Sequence, residues 1–225
     1  MSAQLAVALE AVSPADALDA DELLLWTTMR TFEVQASAQY IAHAPRLAPP
    51  KAGVSAALLR IAGDDRPLEE SVLAPTMKAL VGSAGEARDE DVILVVQGLV
   101  LERVRQVVYA TLTGLPRVPE RSKAIARSLE PVSAEIMALV PPLFAAACDA
   151  NGQKPFSFFV EASDDVLHKL DAVGEGVDEA FGPCFGLRFA DIVGDFVADL
   201  VPVCVGLGME RRKVMAHLAG ALMGI

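Results

Sequence analysis

Three aspartates, Asp191, Asp195 and Asp199, recur at every fourth residue in the stretch FADIVGDFVADLVP. On a helix this spacing sets all three carboxylates on one face, where like charges one turn apart cost roughly a few tenths of a kcal/mol each. A stripe of this kind binds a divalent cation through several carboxylate oxygens, meets arginines, or stays solvated. Solvation is the ordinary outcome in a chain of formal net charge −11. A metal-dependent enzyme built on the stripe is the least supported use of it.

Cations are distributed as unevenly as the acids. Between Glu102 and Arg127 stand Arg103, Arg105, Arg117, Arg121, Lys123 and Arg127 against two acids, whereas between Glu161 and Asp199 ten acids stand against Lys169 and Arg188. The two segments are electrostatic complements, which either face each other within the fold or meet across a contact between molecules. Arg117, Arg121, Lys123 and Arg127 with Asp191, Asp195 and Asp199 are therefore the candidate partner-binding residues. The basic segment has no glycine-rich cradle for a phosphate, and the acidic balance of the whole chain disfavours nucleic acid.

Other chemistries are thinly represented. His43, His168 and His217 are isolated, and Asp164 with His168 supplies two metal ligands at most. A loop starting at Asp171 has Val173 and Gly182 where a calcium loop needs oxygen donors. Cys148, Cys184 and Cys204 are odd in number and far apart, which suits free thiols in a reducing compartment, and the expected localisation is cytoplasmic. No G-x-S-x-G, P-loop or G-x-G-x-x-G is present. The balance is against an enzyme, with no cofactor and no metal site expected. A helix-turn-helix regulator is disfavoured too, since the first 50 residues hold only Arg30 and Arg46 as cations.

The elements that must carry these residues read as helices. The organising stretch is 89–114, DEDVILVVQGLVLERVRQVVYATLTG, which has an acidic start and runs to Gly114 without proline. Its first half is apolar all round and belongs in a core. Its second half reads as amphipathic, with Val100, Val104, Val107 and Val108 on one face and Glu102, Arg105, Gln106 and Tyr109 on the other, so the helix is expected to end at a surface. Before it, a short helix over 2–12, a start at Ser13 and Pro14, a long helix over 19–44 and a proline-rich connector over 45–51 are expected. Short helices over 54–62, 67–74 and 76–81 and a polar loop over 82–88 follow.

After it come a basic helix over 117–130, a restart at Pro131, and an apolar piece over 136–148 kinked at Pro141 and Pro142. Residues 155–160 fit a helix start better than a strand. Four glycines and a proline make 174–186 a bent connector, and helices over 187–205 and 209–223 finish the chain. The last of these carries a Met-rich apolar face suited to packing or docking. The expected fold is all-α: one domain over 1–225, with a possible division near 45–52, of roughly eight to ten helices around the central one and little or no sheet.

The apolar class reaches 53%, above the usual roughly 45–50%. No membrane span is expected, because Ile192 to Gly208 carries Asp195, Asp199 and Pro202, and the start MSAQLAVALEAV lacks a basic region. The excess goes into a buried core or under a partner. The function expected is a non-enzymatic interaction module, a subunit, adaptor or scaffold in a homo-oligomer or larger assembly. The alternative is a helical binding protein for a hydrophobic small molecule lined by Trp26, Phe32, Phe156, Phe158, Phe159 or Phe196.

Overall fold

The structure, a computed structural model, describes residues 19–43 and 90–223. These form α1 (Ala20–His43), α2 (Glu90–Val96), a π-helical turn (Gln97–Leu101), α3 (Glu102–Gly114), α4 (Glu120–Asn151), α5 (Pro155–Phe185), α6 (Phe189–Gly206) and α7 (Arg211–Met223). Since α2, the π-turn and α3 are continuous, the described residues make six helical rods and no strand. The fold is all-α as expected; the described residues hold six helices where eight to ten were expected over 1–225. The expected elements over 2–18 and 45–88, and the possible division near 45–52, lie outside the described residues.

The correction has a definite cause, which is that breakers did not break. α4 runs through Pro131, Pro141 and Pro142, and α5 through Gly174, Gly176, Gly182 and Pro183. All four prolines sit on exposed positions. There the carbonyl that each proline leaves without an N–H partner can turn to water, which removes most of the penalty of an internal proline. Gly174 stays helical because it is a contact site: a Cβ there would lie 2.2 Å from the ring of Phe189. Helix ends follow local chemistry more faithfully. Asp19 Oδ1 accepts the Glu22 N–H at 2.8 Å and caps α1. Gly152 takes φ 62 after α4, where Gln153 N donates to Cys148 O at 3.0 Å.

The central rod lies where it was expected. Ile93, Val95 and Val96 of α2 are buried, and so is every residue from Gln97 to Arg103. α4 lies along α3 and reaches back to the π-turn, α6 packs against α3, and α5 and α7 close the other end. At Gly98 the helices come so near that a Cβ would stand 2.5 Å from Val140 Cγ2. The π-turn inserts one residue into the helical ladder and rotates all that follows relative to α2. A uniform 3.6-residue period across 89–114 therefore does not carry the phase of α2 into α3. Glu102, Arg105 and Tyr109, expected to face outward, are buried, and of the expected apolar face Val100 and Val107 are buried while Val104 and Val108 are half-buried. This helix does not end at a surface with its polar face outward.

Candidate functional site

The buried polar residues of α3 build the most charged part of the interior. Arg105, 2% exposed, sends one guanidinium nitrogen to both oxygens of Glu33 at 2.9 Å and the other to Ser133 Oγ at 2.7 Å. The same guanidinium pairs with Glu102 one turn earlier. Tyr109 OH donates to Glu33 Oε1 at 2.6 Å. Burial, and then the neighbouring Glu33 carboxylate, hold the Tyr109 phenol well above its ordinary value of 10, so it remains a neutral donor. The junction ties α1, α3 and α4 through groups removed from solvent. Its polar atoms are turned to one another, and it fixes the helices relative to each other.

A second junction lies three turns earlier on α1. Glu22, 1% exposed, accepts Arg121 Nε at 2.6 Å and Ser122 Oγ at 2.8 Å, and Trp26 Nε1 donates to Ser122 Oγ at 2.8 Å. Glu22, Trp26, Met29 and Glu33 are spaced to share one buried face of α1. The missed signal was there: two glutamates in phase with Trp26 and Met29, and Glu102-x-x-Arg105-x-x-x-Tyr109 in phase on α3. Burial of these groups depends on neighbours that no spacing in one helix specifies.

The candidate partner-binding residues take their contacts from different elements. Arg117 is exposed and donates to the Pro183 carbonyl at 3.4 Å, and Arg121 is turned to Glu22. Lys123 is largely buried beside Glu120, with Nζ to Oε1 at 3.0 Å, and exposed Arg127 reaches the same carboxylate at 3.5 Å. Lys123 and then Arg127 hold the Glu120 carboxyl below its ordinary value. On α6, Asp191 is paired with Arg188 at 3.0 Å, Asp195 is exposed, and Asp199 pairs with Arg103. Acidic and basic segments thus meet inside the chain at Arg103 and Asp199. Most of the remaining described pairs are local or run to α1.

One further constellation has the side chains of a catalytic triad without its geometry. Ser163 Oγ stands 3.5 Å from His217 Nε2, and His217 Nδ1 stands 3.8 Å from Asp164 Oδ1. However, Ser163 is 1% exposed and its hydroxyl donates to Phe159 O at 2.7 Å. The proton a base should take is already committed, and no substrate reaches the oxygen. His217 lies edge-on to Phe156 and Phe159, and burial lowers its pKa despite the opposing pull of Asp164. The thiols are no better as nucleophiles: burial raises Cys148 and Cys184 and pushes Cys204 up to about 12. Among the described residues no group of three His, Cys, Asp or Glu is placed to hold a metal.

What fold and site define together is an all-α bundle whose buried ion pairs and hydroxyls join its helices. The chain matches no family model, no curated protein and no solved structure.

Proposed function

We propose that the protein is a non-enzymatic interaction module that self-associates through the outer face of α4. The observation that carries this reading is chemical. Between Glu135 and Asp149 the helix carries no charged side chain, yet Ala138, Pro141, Pro142 and Ala145 are exposed along it. The inner side of the same segment is core, through Ile136, Val140, Leu143 and Phe144. The exposed large apolar side chains among the described residues are Leu23, Val205 and Met215, none of them on α4. A continuous uncharged face of small residues lets a second helix approach to roughly 8–10 Å between axes. In a two-fold pair the same face meets itself.

α4 is also long and apolar enough, by length and composition, to cross a membrane. Core helices pass the same test, and the inner side of α4 is packed against α3 and the π-turn. Light scattering across a wide concentration range tests self-association. A dimer is expected, shifting to monomer in Ala138→Glu and Ala145→Glu with the helical circular dichroism unchanged. A strictly monomeric wild type at the highest concentration overturns the reading.

A further inference from the structure

A pocket of about 90 Å³ opens between α1, α3, α5 and α6. Its floor is buried, formed by Met29, Phe32, Leu112, Leu170 and Phe181, whereas Val104, Val108, Val177 and Phe189 at its rim are half-buried. We propose that it is a binding site for a small uncharged apolar molecule, a single ring or a short alkyl chain, entering past that rim. The site is independent of the outer face of α4.

The lining decides the ligand class. Among the described lining residues only three carry polar groups: Thr28, Arg105 and Tyr109. Thr28 Oγ1 donates to Leu24 O at 2.8 Å, Arg105 reaches Glu33 and Ser133, and Tyr109 OH donates to Glu33. Each presents carbon to the pocket and directs its polar atoms elsewhere. A water inside lacks the two to four partners that hold one in place, and a polar or charged ligand loses its hydration for nothing in return. Sites for drug-sized ligands have volumes of about 300–1,000 Å³, so this pocket takes something much smaller. An engineered apolar cavity of about 150 Å³ in another protein stays dry and binds benzene or xenon, which sets the relevant scale.

The walls are also prevented from closing. The Glu33, Arg105 and Ser133 junction fixes α1 against α3 and α4, and the Arg103 pair with Asp199 ties α3 to α6. On the far side, Phe189 is anchored twice: its N–H donates to Asp178 Oδ1 at 2.6 Å and its ring lies on Gly174. A cavity bordered by polar ties cannot collapse as a purely apolar one does, because closing it strains those ties.

The full chain carrying 13C-labelled methyl groups is titrated separately with benzene and with 1-pentanol while the methyl resonances of Met29, Val173 and Leu170 are followed. Saturable shifts confined to those methyls are expected for at least one probe: benzene alone identifies a ring site, pentanol alone an alkyl site. In Val177→Phe, whose new ring occupies the pocket, the shifts should fall at least tenfold in apparent affinity. Val108→Phe fills it from the opposite wall should the first variant not fold. Absence of saturable shifts in the wild type with both probes overturns the proposal, as does undiminished binding in a folded filled variant.

Discussion

Two acidic regions of this molecule hold the same functional group in opposite circumstances. Glu33 and Glu102 are 0% exposed and meet Arg105 inside the bundle, whereas Asp195, at the middle of the α6 stripe, is exposed. By sequence the stripe was the conspicuous feature and the glutamates were background. By energy the order reverses. An exposed charge keeps its hydration, and pairing it changes little. A buried charge has given up hydration, so losing its partner leaves it with nothing. His217, half-buried beside Phe159 and Asp164, stands between the two.

The largest effect is expected at the buried end. Arg105→Met leaves Glu33 and Glu102 without their shared cation, and breaking such a pair costs about 3–5 kcal/mol. Denaturant unfolding of the variant should show its midpoint fall by most of the protein's margin, with the m-value retained if the bundle still forms. A loss under about 1 kcal/mol breaks the contrast with the stripe.

An intermediate effect belongs to His217. Burial lowers its pKa from 6.5, so the folded state holds fewer protons than the unfolded chain in the window just below 6.5. Its contribution is therefore complete above pH 6.5 and is lost as the pH falls through that window. Melting temperature measured between pH 7 and 5 should decline in the wild type with a component that His217→Gln removes. An identical pH profile in the variant places the acid sensitivity in other groups.

The smallest effect is expected from Asp195→Asn. Asp195 is exposed, with Asp191 turned to Arg188 and Asp199 to Arg103. Stability should change by less than about 0.5 kcal/mol, the usual range for exposed positions. If relief of like-charge repulsion matters, the sign is stabilising. A calorimetric scan with and without added divalent cation sharpens the comparison: a melting shift in the wild type that the variant loses shows that the stripe holds an ion after all.

Local chemistry carried much of the architecture into the sequence. The all-α class, the long helix after Asp19, the central rod ending at Gly114, the helix start at Pro155 and the two closing helices were all legible, because periodicity, capping and proline position act within a few residues. What misled were residues whose effect depends on direction. Pro141 and Pro142 look like a break until their side of α4 is known to face out, and Gly174 looks like a hinge until Phe189 is found on it. Sequence alone determined the all-α class, where most of the described helices begin, and that charge is segregated along the chain. Only tertiary packing decided that Glu22, Glu33, Glu102 and Arg105 lie inside and Asp195 outside, that Val104 and Val108 rim a pocket, and that Ser163 is spent on its own helix. The reason is physical: a helix period says which residues share a face, whereas the neighbours packed around that helix decide which face water reaches.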